Sequence, residues 1–79
     1  MASPTPTEVE IRVSEEGKLR PLRFRRGEIW MDIAQVGKTW SDDVGDHWLV
    51  MPMYPPQLYE LIHTKAGLWQ VVPSGPSFA

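Results

Sequence analysis

The side chains best suited to metal binding or proton transfer lie between Trp40 and Trp48: Asp42, Asp43, Asp46 and His47. Clustered carboxylates suit Mg²⁺ or Ca²⁺, and an imidazole suits transition metals. The spacing matches neither an EF-hand loop nor a zinc pattern. Aspartate and glycine are also what a tight connection needs, because aspartate side chains accept hydrogen bonds from loop N–H groups. We therefore predict a structural loop with no bound metal, with ion binding as the alternative.

Both histidines of the chain, His47 and His63, are candidates for proton chemistry. A general base needs a partner within hydrogen-bond reach, and neither histidine adjoins a serine or cysteine motif. An acid/base pair of the two is the weaker hypothesis. The sequence predicts a protein that is not an enzyme, with no catalytic residue and no cofactor.

A basic segment is the candidate for binding DNA or RNA. Five cations fall within nine residues that contain no acid: Lys18, Arg20, Arg23, Arg25 and Arg26. In a strand, Arg23 and Arg25 would share one face opposite Leu22 and Phe24, where guanidinium groups could hold phosphates. The net charge is -2 and the pI about 5.5, which instead favours a solvated face paired with the acids that follow. Nucleic-acid-backbone binding is therefore the alternative function.

Aromatic residues beside turn residues are the candidates for protein docking. Trp40 and Tyr54 both adjoin turn residues, and Tyr54 precedes Pro55 and Pro56. We expect at least one of the two aromatic side chains to be partly exposed, which suits docking of a peptide or another domain. The sequence thus predicts a non-catalytic adaptor whose main partner is an unidentified protein, and it leaves the oligomeric state open.

Alternating apolar residues predict a mainly β protein. Strands are expected at 9–13, around Phe24, at 48–51, 58–64 and 68–72, separated by glycine and proline turns. Residues 28–36 fit a strand or a short helix, and we favour a strand with a bulge that turns Trp30, Ile33 and Val36 to one face. These elements predict a small antiparallel barrel of about five strands, SH3-like or OB-like.

Length and composition set the limits of this fold. A chain of 79 residues without cysteine is one small domain that lacks disulfides, and its four tryptophans supply much of the core. We predict a disordered lead-in at 1–7, the barrel at 8–72 and a flexible tail at 73–79. Met1 to Thr7 show no secretory signal and no apolar run is long enough to span a membrane, so a cytoplasmic location without membrane association is expected.

The order of motifs from Gly17 to Val72 resembles that of a known family. The motifs are Arg-Phe-Arg-Arg-Gly at 23–27, Ile-Trp-Met-Asp-Ile at 29–33, a loop containing a tryptophan, a strand that begins with Trp48, Tyr-Glu-Leu at 59–61 and Gly-Leu-Trp-Gln-Val at 67–71. Together they look like a small bacterial domain of unknown function that is similar to the C-terminal domain of catalytically inactive Y-family polymerase homologues.

The resemblance concerns residues that also suit a structural role. It covers Phe24, Gly27, Trp30, Trp40, Trp48, Tyr59, Leu61 and Trp69. This chain differs from the family in having Glu28 after Gly27, where the family has a basic residue, and in its Pro55-Pro56 turn. The resemblance implies a setting in DNA-damage tolerance rather than a particular activity.

Overall fold

The computed structural model describes residues 3–75, all of them in strands, turns and loops. Within that range seven antiparallel strands form one curled sheet. This confirms the prediction of an all-β, barrel-like fold. The strands are β1 (Thr5–Pro6), β2 (Val9–Val13), β3 (Leu19–Arg26), β4 (Ile29–Ser41), β5 (Gly45–Pro52), β6 (Leu58–Thr64) and β7 (Trp69–Gly75).

The N-terminal segment joins the two ends of the sheet. The strand order is β1-β7-β6-β5-β4-β3-β2, so β1 lies on β7 while β2 lies on β3. Between them, the N–H of Thr7 donates to the carbonyl of Trp69 at 3.0 Å, and the N–H of Arg25 donates to the carbonyl of Glu8 at 3.0 Å. One continuous stretch of chain therefore contacts both edges and curls the sheet into a barrel-like shape.

This pairing corrects the prediction for both ends of the chain. Thr5 and Pro6, expected in a disordered lead-in, pair with Gln70 and Val71 of β7. Residues 73–75, expected in a flexible tail, belong to β7. Local composition predicted disorder because it carries no information about pairing with other strands: β1 pairs with β7, more than sixty residues away, and residues 73 and 75 pair with Tyr59 and Leu58 of β6. Residues 1–2 and 76–79 of the predicted lead-in and tail lie outside the described range.

Strand β4 is the long, bent element that links the two halves of the barrel. Its first residues pair with β3 and the rest pair with β5, with register shifts between Ile33 and Gln35 and between Val36 and Thr39. The predicted strand and bulge are thus confirmed. Ile33 and Val36 pack on the core as expected, but Met31 joins them there instead of Trp30, which is 36% exposed.

The core consists of large apolar side chains from five strands. They are Phe24, Met31, Trp48, Val50, Tyr59, Leu61 and Val71. The ring of Phe24, which is fully buried, lies 5.2 Å from that of Tyr59 in a tilted arrangement. Tilted aromatic pairs add roughly 0.5–1.5 kcal/mol beyond the area they bury. Of the four tryptophans expected to supply much of the core, Trp48 is buried in it and Trp69 packs against it, whereas Trp30 and Trp40 lie outside it, so that prediction is only partly right.

A bulge in β3 changes which residues face the core. Arg23 lies opposite Glu10 and Pro21 lies opposite Ile11, so Leu22 is the extra residue between them. Pro21 is consequently buried and Leu22 is 40% exposed, whereas simple alternation placed Leu22 beside Phe24. Pro21 is tolerated there because β4 pairs with β3 only from Arg23 onward, so the missing N–H faces no partner strand.

None of the described residues forms a helix that is long and apolar enough to cross a membrane.

Candidate functional site

The stretch predicted as a polar loop is a tight β-hairpin. Trp40 pairs with His47 and Ser41 with Asp46, so only residues 42–44 connect β4 to β5. The Asp42 carboxylate accepts hydrogen bonds from the N–H of Val44 at 2.9 Å and of Gly45 at 3.3 Å. The predicted role of aspartate in satisfying loop N–H groups is confirmed for Asp42.

His47 lies at the centre of this hairpin, held between two carboxylates. Its side chain is buried, with Nδ1 at 2.7 Å from Glu60 Oε2 and Nε2 at 2.8 Å from Asp42 Oδ1. The ring of Trp40 stacks on the imidazole almost in parallel, with ring centroids 4.9 Å apart. Carboxylates only accept hydrogen bonds. A protonated imidazole has two N–H groups and can donate to both carboxylates, whereas a neutral imidazole has one N–H and can donate to only one carboxylate.

The surroundings of His47 favour its charged form. Burial by itself lowers the pKa of the imidazole, but hydrogen bonds to Asp42 and Glu60 outweigh it and leave the pKa raised. The hydrogen bond from His47 likewise lowers the pKa of the Asp42 carboxyl, although desolvation opposes this shift. Both imidazole nitrogens are engaged by carboxylates of the protein, an arrangement that suits a structural role in the hairpin.

The register separates the two histidines. His47 lies opposite Ile62, and His63 lies opposite Asp46 and Trp69, so the two imidazoles point to different faces of the sheet. His63 stacks on Trp69 with ring centroids 4.5 Å apart. The alternative of a His47–His63 acid/base pair is therefore wrong.

The aspartates of the hairpin do not converge on one point. Asp42 serves His47 and the turn, while the Asp46 carboxylate accepts a 2.6 Å hydrogen bond from the Ser41 hydroxyl. Among residues 3–75, no three histidine, aspartate or glutamate side chains are arranged to hold a metal ion. The geometry accordingly gives no support to the ion-binding alternative at Asp42, Asp43, Asp46 and His47.

The central arginines of the basic segment are already paired. Arg23 forms an ion pair with Glu10 at 2.7 Å, and Arg25 forms one with Glu8 at 2.6 Å. The hydrogen bond to Glu10 is the main cause of the raised pKa of Arg23. We expected the arginines to pair with the acids that follow them in the sequence. Their partners instead precede them: Glu10 lies in β2 and Glu8 lies immediately before that strand.

The remaining cations of the segment differ from one another. The guanidinium of Arg26 lies over the ring of Tyr59, 5.1 Å from its centroid. Lys18 and Arg20 are exposed, and within the described part of the chain neither forms an ion pair with a carboxylate. Arg20 also lies directly opposite Arg12, a residue that the sequence argument did not single out. The five predicted nucleic-acid-binding residues therefore do not form one uniform surface.

The structure does not bring the two predicted docking aromatics together. Tyr54 is 83% exposed in the loop that follows β5, whereas Trp40 lies beside His47 near the start of that strand. The seven backbone steps from His47 to Tyr54 span about 23 Å when the chain is extended. Trp40 is half-buried against the imidazole, with Nζ of Lys38 5.3 Å from its ring centroid.

Tyr54 instead lies near a second set of exposed apolar side chains. The N–H of Met53 donates to the carbonyl of Asp32 at 2.9 Å, which sets the end of β5 beside the start of β4. Trp30, two residues before Asp32, therefore shares a face with Met53 as its diagonal neighbour. Met53 is 70% exposed and Ile29 69% exposed. We call this set the apolar end: Ile29, Trp30, Met53, Tyr54, Pro55 and Pro56.

Part of the apolar end is held in a defined position. The guanidinium of Arg23 lies 4.8 Å from the ring centroid of Trp30, and its ion pair with Glu10 fixes it from the other side. The sequence did not reveal Ile29 because it stands in an alternating strand pattern where a buried position is expected, and it did not reveal Met53 because that residue falls between the predicted strand at 48–51 and the turn at Tyr54. Both side chains are exposed because they lie at the end of the barrel, where none of the described strands covers them.

Comparisons with family models, with curated proteins and with solved structures found no match for this chain.

Proposed function

We propose that this protein is a non-catalytic docking module that binds another protein through the apolar end. The single observation that carries the proposal is the exposure of Met53 and Tyr54, at 70% and 83%. Exposed aromatic and methionine side chains are enriched in the centres of protein interfaces. A domain of this size has a small free energy of unfolding, and apolar side chains left in water contribute nothing to it.

The surroundings of the apolar end suit a protein partner better than a polyanion. Of the arginines beside the apolar end, Arg23 and Arg25 are neutralised by Glu10 and Glu8. Arg26, which lies opposite Ile29, has its guanidinium over the ring of Tyr59 and forms no ion pair within the described range. Two of the three positive charges on this side are therefore balanced. Trp30 is fixed by Arg23, which reduces the conformational entropy that binding must remove. The resemblance in motif order extends the proposal to a setting in DNA-damage tolerance.

Affinity capture with matched variants tests the proposal. Immobilised wild-type protein is compared with Tyr54→Ala and with Leu68→Ala, which removes a 63% exposed apolar side chain at the opposite end of the barrel. A protein retained by wild type and Leu68→Ala but lost with Tyr54→Ala supports the proposal. Equal retention by all three, or loss with Leu68→Ala alone, refutes it.

Binding of a nucleic-acid backbone is the second candidate function. It is favoured by the pairing of Arg12 opposite Arg20 beside Lys18, because like charges directly across a sheet are destabilising unless an anion neutralises them. An amide NMR titration with short single-stranded and double-stranded DNA at low and high salt tests it. Salt-sensitive shifts at residues 12–20 support this candidate, and their absence at low salt removes it.

A further inference from the structure

Strand β2 has an open backbone edge. On one side it pairs with β3 along its whole length. On the other side, contact with β7 ends at Thr7, and none of the described strands continues along Val9–Val13. An unpaired edge is a template for adding another strand.

Hydrogen bonds at both ends of β2 show which residues face this open edge. The carbonyl of Glu8 accepts from the N–H of Arg25, and the N–H of Ser14 donates to the carbonyl of Lys18. Even-numbered residues therefore direct their backbone groups toward β3. Because the direction alternates along a strand, Val9, Ile11 and Val13 direct N–H and C=O toward solvent.

The side chains along the edge are also incompletely covered. Ile11 is 37% exposed and Val13 is 56% exposed, on the face that continues into the core. Arg12 lies opposite Arg20 and forms no ion pair within the described range. Two apolar residues and one cation of a five-residue strand thus lack the neighbours that a central strand would have.

We propose that this edge pairs antiparallel with the same edge of a second copy of the chain, about a two-fold axis at Ile11. In that register Val9 meets Val13 of the other copy, Glu10 meets Arg12, and Ile11 meets Ile11. Apolar groups meet apolar groups and each charge meets its opposite, so the segment Val-Glu-Ile-Arg-Val is complementary to itself. This self-complementarity is why the occupant is a second copy and not an unrelated strand.

The pairing is compatible with the contacts already present. Glu10 is bound to Arg23, but its side chain is 51% exposed and its carboxylate can accept further hydrogen bonds. In the proposed register Arg12, which lies opposite Arg20 within its own chain, also gains a carboxylate neighbour from the second copy. A contact of five residues per copy is small, so the dimer is weak and reversible, with a dissociation constant of roughly micromolar to millimolar.

Sedimentation velocity of the full chain from about 10 μM to about 1 mM, the range expected for so small an interface, tests the proposal. Wild type should show a sedimentation coefficient that rises with concentration. Val13→Pro removes an N–H that points to the open edge while leaving the ladder to β3 intact, so it should sediment as a monomer throughout. Val13→Thr keeps the N–H and the β-branched shape and should dimerise. Circular dichroism verifies that both variants are folded.

A charge exchange tests the register independently. Arg12→Glu makes the edge wholly acidic and Glu10→Arg makes it wholly basic, so each variant alone should dimerise about tenfold or more weakly. An equimolar mixture of the two should recover dimers, because opposite charges then meet at both positions. A wild-type monomer at about 1 mM, unchanged association of Val13→Pro, or no recovery in the mixture would each overturn the proposal.

Discussion

Gly45 offers a stringent test of the hairpin that holds His47. The residue has φ +156°, outside the region that other residues favour, and it is buried at the start of β5. A Cβ at this position would lie 2.1 Å from the carbonyl oxygen of His63 and 2.8 Å from Cα of Thr64. Both are backbone atoms of the paired strand, so no side-chain rotation relieves the overlap.

The expected cost follows from two separate contributions. An unfavourable φ costs about 1–3 kcal/mol, and forcing atoms into a packed region costs about 1–3 kcal/mol more. Gly45→Ala should therefore lower the free energy of unfolding by about 2–6 kcal/mol, against a total of roughly 4–12 kcal/mol for a chain of this size. For such a domain the melting temperature should fall by about 10 °C or more.

Gly67→Ala is the matched control. Gly67 also has a positive φ, +87°, but nothing lies within 4 Å of a Cβ built on it. Only the backbone contribution of about 1–3 kcal/mol applies, so the melting temperature should fall by about 5 °C or more but by less than for Gly45→Ala. The assay is thermal unfolding followed by circular dichroism. Equal melting temperatures for the two variants would refute the argument that contact with β6 at His63 constrains Gly45.

Three further predictions concern individual contacts. The raised pKa of His47 means that the folded state holds the imidazole proton more tightly than the unfolded state does. The protonated imidazole therefore contributes fully to the free energy of unfolding below the unfolded pKa of about 6.5. That contribution is lost as pH rises through the folded pKa. Denaturant titrations should show stability falling across this range in wild type, with a shallower fall in His47→Gln. Phe24→Ala should cost about 3–5 kcal/mol in the same assay, because the fully buried ring leaves a cavity; a loss under 1 kcal/mol would contradict the assigned core. Glu10→Gln should cost at most about 1 kcal/mol, and less at high salt, because the ion pair with Arg23 is largely exposed.

Local sequence pattern was sufficient for the strands whose alternation is regular. Residues 58–64 and the hairpin that follows them occur as predicted, because apolar alternation and a glycine turn specify both faces and the reversal. The bulge in β4 was also predictable, since its apolar residues are spaced by three after Trp30. The side of the sheet on which Trp30 lies was not predictable, because the register shift begins only at Ile33, after Trp30 and Met31.

Contacts between distant residues explain what the sequence did not reveal. Glu60 holds His47 from thirteen positions away, and Glu8 reaches Arg25 from seventeen. Both pairs depend on strand register, which single-sequence patterns specify only where turns and alternation agree. The apolar end was predicted in part, through Tyr54 and its prolines, while Ile29 and Met53 required knowing where the barrel ends.

Site-specific photo-crosslinking tests the docking proposal most directly. A photoreactive phenylalanine derivative is placed at position 54 in the apolar end and, in a second version, at position 68 at the opposite end. Both native side chains are well exposed, at 83% for Tyr54 and 63% for Leu68. The proposal predicts a discrete crosslinked product of higher mass from position 54. An excess of wild-type protein without the photoreactive group should suppress this product by competing for the partner, and the same excess of Met53→Ala should suppress it less. No adduct at position 54, or the same adduct from both positions, would contradict it.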